Sequence, residues 1–179
     1  MDNGASSYRR FLNGDESAFD DLMQALFPGV VFFINRFVQD PHAAEDIAID
    51  TFSDLIVHKH RYNFKVSLKT YLYMVGRSRA LDYIKHRRVI NFVELSQAEG
   101  MAEDDLEEIV LKDGRKRHLN DAVAKLPEEM RVAVHLIYFE EMTYEEAAKV
   151  MKKNRKQVDN LLYRAKKELR IILGEDGEL

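Results

Sequence analysis

Apolar residues recur at helical spacing along most of the chain, and the alternation typical of strands is nearly absent. A first helix is predicted to begin near Asp15 or Ser17, either of which can cap it. Its apolar positions are Phe19, Leu22, Met23, Leu26 and Phe27. Pro28-Gly29 is expected to interrupt or bend this helix before the apolar stretch VVFFINRFV.

A second helix is predicted over residues 41–60, with Asp40 as its N-cap and Pro41 at its first position. One side of this helix is apolar and carries Ala44, Ile47, Ala48, Phe52, Leu55 and Ile56. Asp46, Asp50 and Asp54 recur every four residues, so they share a different face.

A third helix is predicted over residues 67–88, with Leu68, Leu72, Val75, Leu81 and Ile84 as core positions. Gly76 lies inside it, which costs roughly 1 kcal/mol relative to Ala and permits close packing or a bend. Residues 91–115 lose the periodicity and are predicted to form a linker.

Helical periodicity returns near Leu119, and another helix is predicted to start at Pro127. Thr143-Tyr144-Glu145-Glu146 has the pattern of a capping box and predicts a short helix over 144–151. Asn154 is a good N-cap for a last helix, whose apolar stripe is Val158, Leu161, Leu162, Ala165, Leu169 and Ile172.

Composition indicates a globular protein with one domain or two small ones, since 46% of the 179 residues are hydrophobic and 32% are charged. The chain has no cysteine, which excludes disulfides and thiolate sites and fits a reducing cytoplasm. No apolar run approaches the roughly 18 residues of a membrane span, and the amino terminus lacks a signal-peptide core. We therefore expect a cytoplasmic protein without membrane contact.

Charge is segregated although the net charge is only −4. Residues 65–88 and 152–170 each carry a local excess of +6, whereas residues 91–111 hold seven acids and no base. Two cationic blocks separated by an anionic one favour two contacts with a polyanion. The structural alternative is a set of solvated helix faces.

The carboxy-terminal block has the organisation of a helix-turn-helix: a capped short helix, a turn of about three residues, and a basic amphipathic helix. In such a motif the second helix enters the major groove of DNA. Arg, Lys, Gln and Asn side chains are suited to base edges there, and later cations to phosphates.

The same block, LPEEMRVAVHLIYFEEMTYEEAAKVMKKNRKQVDNLLYRAKKELRIIL, resembles region 4 of the extracytoplasmic-function (ECF, group IV) bacterial sigma factors. AAEDIAIDTFSDLI is similar to region 2.2 of that family, and SLKTYLYMVGRSRALDYIKHRR is similar to regions 2.3 and 2.4. The resemblance implies an all-α fold of two small helical domains joined by an acidic linker. The implied boundaries are region 2 over 1–90, the linker over 91–115, and region 4 over 116–179.

The resemblance implies a transcription initiation factor that directs core RNA polymerase to specific promoters through their −10 and −35 elements. Its expected partners are promoter DNA and the β′ clamp helices and β flap of the polymerase. An anti-sigma factor is a further candidate, since members of the family are often held inactive by one. No enzymatic activity, cofactor or metal is expected.

Three sets of site residues follow from the resemblance. The −35 set lies on the recognition helix and comprises Arg155, Lys156, Gln157, Asp159, Asn160, Tyr163, Arg164 and Lys167. The −10 set comprises Phe64, Lys65, Lys69, Tyr73, Arg77, Arg79, Lys85, Arg87 and Arg88. The polymerase-binding set comprises Asp46, Asp50, Thr51 and Phe52, with Phe52 buried beneath the acids. Tyr71, at the family's usual Trp position, is expected in the core.

Several residues depart from the family pattern. Ile49 replaces a usual Gln, and the stretch from Phe64 to Tyr71 is short for the family's specificity loop. Lys152 stands where the turn often has Gly, so a left-handed backbone there would cost on the order of 1 kcal/mol. Asp159 and Leu161 replace basic residues, and Leu161 fits better on the buried side.

Two other functions compete with this interpretation. A helix-turn-helix repressor or response-regulator output domain would share the carboxy-terminal block but needs an effector pocket or receiver in the first ninety residues, and no such pattern is found. A helical metalloenzyme could use His42, Glu45, Asp46, His58 and His60, but the repeated Glu-x-x-His motif of carboxylate-bridged bundles is absent.

Overall fold

A computed structural model describes residues 4–95 and 114–174, and these residues form helices without any β-strand. They separate into two compact units, with the division falling within residues 96–113. The first unit contains α1 (Ala5–Leu12), α2 (Ser17–Val38), α3 (Pro41–Val57) and α4 (Leu68–Leu95). The prediction of an all-α protein with two helical domains is confirmed.

The predicted linker 91–115 overlaps with helix at both ends. Residues 91–95 belong to α4, and residues 114–115 begin α5. The NFVEL segment contains no Gly or Pro that would end α4 earlier. The rest of the predicted linker lies outside the described residues.

Helix α2 is the centre of the first unit and packs against α1, α3 and α4. It continues through Pro28, so the predicted interruption is wrong. Leu22 precedes the proline and Val30, Phe33 and Ile34 follow it, and all four are buried. Their burial outweighs the local cost of an internal proline, which is about 3 kcal/mol. By length and composition α2 could cross a membrane, which differs from the expectation that no apolar run approaches a membrane span. One such helix is weak evidence for a membrane span, and α2 packs against three neighbouring helices of its unit.

Helix α3 begins as predicted, because the Asp40 side chain accepts a hydrogen bond from the Ala43 N–H at 3.1 Å. It ends at Val57 rather than residue 60. Helix α4 follows a loop of residues 58–67. Gly76 of α4 is buried, and a Cβ there would lie 3.2 Å from Ile34 Cδ1. The glycine therefore allows α4 to approach α2 closely.

Ion pairs on Asp54 connect α3 to α4 and to the loop. Arg79 of α4 donates to the Asp54 carboxylate, and Arg61 and His58 lie 3.4 Å and 3.2 Å from it. Burial opposes ionisation of this carboxyl group, but the contacts with Arg79, Arg61 and His58 outweigh it and lower the pKa of Asp54.

The second unit contains α5 (Gly114–Ala124), α6 (Glu128–Val134), a π-helical turn (His135–Phe139), α7 (Tyr144–Met151) and α8 (Arg155–Leu173). Helix α8 packs against α5, α6 and α7. Its buried residues are Val158, Leu161, Leu162 and Ala165, as the apolar stripe predicts. Leu169 and Ile172, the last two positions of that stripe, are half-buried.

Both helices of the predicted helix-turn-helix begin with capping boxes. Thr143 Oγ1 accepts from the Glu146 N–H at 3.2 Å, and Glu146 accepts from the Thr143 N–H at 2.9 Å. Asn154 and Gln157 make the same reciprocal pair, each at 2.8 Å. Lys152, between the two helices, has φ 54°. This is the left-handed conformation that its place at a usual glycine position raised as a possibility.

We expect Asn154→Ala to lower the free energy of unfolding by about 1 kcal/mol, the usual effect of losing an N-cap side chain. Urea unfolding of the full chain, followed by circular dichroism, would measure the shift in midpoint. Asn160→Ala is the matched control, since Asn160 is exposed in the middle of the same helix. Equal midpoints for the two variants would contradict the capping role.

Because Asp54 has a lowered pKa in the folded chain, its ion pairs stabilise the fold above the pKa of the unfolded carboxyl, about 3.9. This stabilisation is lost as the pH falls through the lower, folded pKa. Asp54→Asn should therefore reduce the melting temperature most near pH 7, with the difference from wild type shrinking toward pH 3. Thermal unfolding across that range would test this, with Asp46→Asn on the exposed face of α3 as control. A difference that does not depend on pH would refute it.

Candidate nucleic-acid and polymerase interfaces

The exposed face of α8 carries the whole predicted −35 set. Burial of Val158, Leu162 and Ala165 fixes the rotation of the helix, so the opposite face is turned to solvent. All eight predicted residues are exposed: Arg155, Lys156, Gln157, Asp159, Asn160, Tyr163, Arg164 and Lys167. The structure brings these side chains together on one cationic surface, which we call the α8 face.

Three polar residues in the turn before α8 and in its first turn make contacts within the second unit. Arg155 lies 3.3 Å from Glu145 of α7, and Lys153 lies 2.7 Å from Glu129 of α6. Gln157 uses its carbonyl oxygen to cap the helix, which leaves its amide NH₂ for another partner. Lys156 and Arg164 are therefore simpler candidates for contacts with DNA than Arg155.

Lys166 extends the cationic surface and was missing from the predicted set. A hydrogen bond with the Tyr138 hydroxyl raises the pKa of Lys166, and its ammonium lies 5.8 Å from the centre of the Tyr138 ring. The Tyr138 side chain is itself exposed. The contact between Lys166 and Tyr138 forms because the π-helical turn (His135–Phe139) places Tyr138 beside α8. No local sequence pattern indicates this contact.

All nine residues of the predicted −10 set lie on α4 or the 58–67 loop. Lys65, Lys85, Arg87 and Arg88 are exposed, and Phe64, Lys69, Arg77 and Arg79 are half-buried. The cations are spread over about five turns of α4 and the adjoining loop, and they form a surface that can bind a phosphate backbone. This is the second cationic surface, and it lies in the first unit.

Two members of this set need correction. Tyr73 is 1% exposed, with its ring 4.8 Å from that of Phe33, so it belongs to the contact between α4 and α2 and cannot contact DNA. Arg79 is paired with Asp54, and its guanidinium also lies 3.8 Å from Asp50. Its charge is balanced within the unit, so its observed role is to join α4 to α3.

The 58–67 loop is held by aromatic contacts. The Tyr62 ring lies 4.6 Å from the Phe64 ring and 5.2 Å from the Tyr71 ring, and the Tyr62 hydroxyl donates to Val66 O at 2.7 Å. Phe64 adopts φ 59°, a left-handed conformation that is costly for a bulky residue. Tyr71 is half-buried, and burial raises the pKa of its hydroxyl, in accord with a largely internal position.

The predicted polymerase-binding set divides by burial. Asp46 and Asp50 are exposed on α3, whereas Phe52 is buried, 5.5 Å from the Phe27 ring, as expected for a residue beneath the acids. Thr51 is 1% exposed, and its hydroxyl donates to Ile47 O at 2.7 Å, so a direct contact through Thr51 is excluded. Ile49, Ile56 and Val57 are exposed hydrophobic residues near the acids.

A metal centre is not supported in the part of the chain that the structure describes. No three His, Asp or Glu side chains there lie close enough together to hold a metal ion. Among the ligands that the metalloenzyme alternative requires, His58 is instead hydrogen-bonded to Asp54 at 3.2 Å.

Comparisons with known proteins agree with this arrangement of surfaces. Residues 25–89 match the family described as Sigma-70 region 2, and residues 116–169 match Sigma-70, region 4. The chain is 26% identical over 157 residues to the ECF RNA polymerase sigma factor SigM of Bacillus subtilis, covering 86% of this chain and 93% of SigM. It is 28% identical over 170 residues to the RNA polymerase sigma factor CarQ of Myxococcus xanthus, covering 93% of this chain and 95% of CarQ.

Among solved structures, the sigma factor RpoE of Bartonella quintana, in complex with the anti-sigma factor NepR, has a similar fold. Its TM-score is 0.67 at 20% identity, covering 89% of this chain and 98% of RpoE. With both sigma-70 regions matched in order, the chain belongs to the ECF sigma factors, the transcription initiation factors that bind core RNA polymerase and direct it to promoters.

Proposed function

We propose that the α8 face reads the −35 element and that the cationic surface of α4 and the 58–67 loop binds and opens the −10 element. The main observation that supports the assignment of the −35 surface is that the apolar stripe of α8 is packed inward while all eight predicted −35 residues are exposed. Lys156, Asn160 and Arg164 can reach base edges or phosphates from that face.

The domain assignment follows the two compact units. We assign region 2 to α1–α4 and region 4 to α5–α8, with the acidic linker between them. The catalytic step of RNA synthesis belongs to the polymerase in this proposal, so the chain itself is not an enzyme. Because its partners are the transcription machinery, we place it in the cytoplasm.

Two contacts with core polymerase are proposed. The exposed acids Asp46 and Asp50 of α3 fit a basic surface on the β′ clamp helices, with exposed Ile49 adding an apolar contact. Region 4 is proposed to contact the β flap. An anti-sigma factor is a further proposed partner, because the structurally similar RpoE was solved in complex with NepR.

Run-off transcription with reconstituted core polymerase tests the proposal as a whole. We expect discrete transcripts from genomic DNA only when this protein is added to the core enzyme. The protein alone should not bind a promoter tightly, whereas a repressor would. Specific binding without polymerase would contradict the proposal.

Lys156→Glu should reduce −35-dependent transcription at least tenfold, since a lost base or phosphate contact costs about 1–3 kcal/mol and the new charge repels DNA. Arg155→Glu should act in the same direction, although it also disrupts the ion pair with Glu145. The control is Lys125→Glu, an exposed lysine between α5 and α6. Co-purification with core polymerase should be unchanged for all three, and normal transcription by both α8 variants would refute the recognition-helix assignment.

Asp46→Arg should weaken association with core polymerase at least tenfold, because opposed like charges at an interface cost several kcal/mol. A pull-down titration with core enzyme measures this. Asp20→Arg, on the exposed side of α2, provides the matched charge reversal and should bind normally. Equal binding by the two variants would show that α3 does not face the polymerase.

A further inference from the structure

Helix α1 precedes residues 25–89, the part of the chain that matches Sigma-70 region 2, yet it packs against the 58–67 loop. Tyr8 is completely buried, and its hydroxyl donates to Leu55 O at 2.8 Å and to Lys59 O at 3.2 Å. These carbonyls lie at or just beyond the last turn of α3, where helical hydrogen-bond partners run out. Burial raises the pKa of Tyr8 to about 12, so the hydroxyl remains a donor at physiological pH.

The aromatic ring of Tyr8 continues this contact into the loop. It lies 5.8 Å from the Tyr62 ring and 6.2 Å from the Phe64 ring. Lys59 also covers the Phe11 ring of α1, with its ammonium 5.0 Å from the ring centre. Helix α1 is therefore fixed against the loop from several sides, and the neighbours of Tyr8 on α1 have defined positions relative to Phe64.

Among the neighbours of Tyr8 on α1, Arg9 lies over the Phe64 ring. Its guanidinium lies 4.8 Å from the centre of the half-buried Phe64 ring, and the Arg9 residue is exposed. A guanidinium lying over an aromatic ring has a second planar surface and several N–H donors at its edge. Unpaired bases in single strands stack on such arginine planes and on aromatic rings. Lys65, next along the loop, is exposed and can hold the adjoining phosphate.

We propose that Arg9 and Phe64 together form a stacking platform for one unpaired base of the opened promoter strand. This inference rests on the proposed role of the 58–67 loop in binding the −10 element, and it adds a residue of α1 to that interface. Arg10 cannot substitute for Arg9, because it is paired with Asp15 at 2.6 Å.

The experiment measures binding of reconstituted holoenzyme, with the full chain, to a labelled forked oligonucleotide that carries a single-stranded −10 element. Arg9→Ala should weaken binding roughly 5- to 100-fold, the range of a lost base stack. Arg9→Lys retains the charge but loses the planar surface, so it should recover only part of the affinity. Arg10→Ala removes the same charge from the same helix and should change affinity less than twofold.

Abasic nucleotides placed one at a time in the single strand distinguish stacking from phosphate binding. At the position that stacks on Arg9, removal of the base should weaken wild type and leave Arg9→Ala unchanged. If no position shows this coupling, or if Arg9→Lys restores full affinity, Arg9 is not a stacking residue and the inference is wrong.

Lys65→Glu separates failure of this inference from failure of the proposed function. If Lys65→Glu weakens binding and Arg9→Ala does not, the loop binds the −10 strand and only the Arg9 platform is refuted. If neither variant changes binding, the loop is not part of the −10 interface, and both proposals fail.

Discussion

Burial of one apolar stripe on each helix is the constraint on which both surfaces depend. A helix can rotate about its axis until its apolar side chains are covered, and that rotation then determines which polar residues face solvent. In α8 the buried Val158 and Ala165 leave Lys156 and Arg164 outside. In α3 the buried Ala48 and Phe52 leave Asp46 and Asp50 outside by the same reasoning. The chemistry of each surface is therefore a consequence of core packing.

Pairing within the protein then selects which exposed charges remain for partners. Asp54 of α3 is paired with Arg79, Arg61 and His58. These ion pairs connect α3 to α4 and to the 58–67 loop. Arg87 and Arg88, farther along α4, are exposed beyond this network. Counting charges in the sequence places all cations of residues 65–88 on one surface. The structure divides them into cations that are paired within the unit, such as Arg79, and cations that are exposed to solvent, such as Arg87 and Arg88. A partner must break an existing ion pair to use the first kind, but not the second.

Local chemistry was the most predictable part of the sequence, and tertiary contacts were the least. The caps at Asp40, Thr143 and Asn154 depend on residues three positions apart, so their patterns can be read directly. Helix α1, the unbroken α2 and the burial of Tyr73 depend on residues from other helices, which periodicity alone does not reveal. Family resemblance placed Tyr73, Thr51 and Arg79 in the correct helices, but which face each occupies is set by packing and pairing.

Two non-glycine residues in left-handed backbone conformations, Phe64 and Lys152, lie in the segments that adjoin the two surfaces. Each conformation costs on the order of 1 kcal/mol, which glycine would avoid. Glycine at 64 would remove the ring beneath Arg9, and glycine at 152 would remove an exposed cation from the turn before α8. Neighbouring contacts offset the strain in each case: the Tyr62 and Tyr8 rings around Phe64, and the Lys153 N–H bonded to Ala148 O beside Lys152. The chain therefore keeps a side chain at both positions, and contacts from the surrounding fold offset the cost of the left-handed backbone.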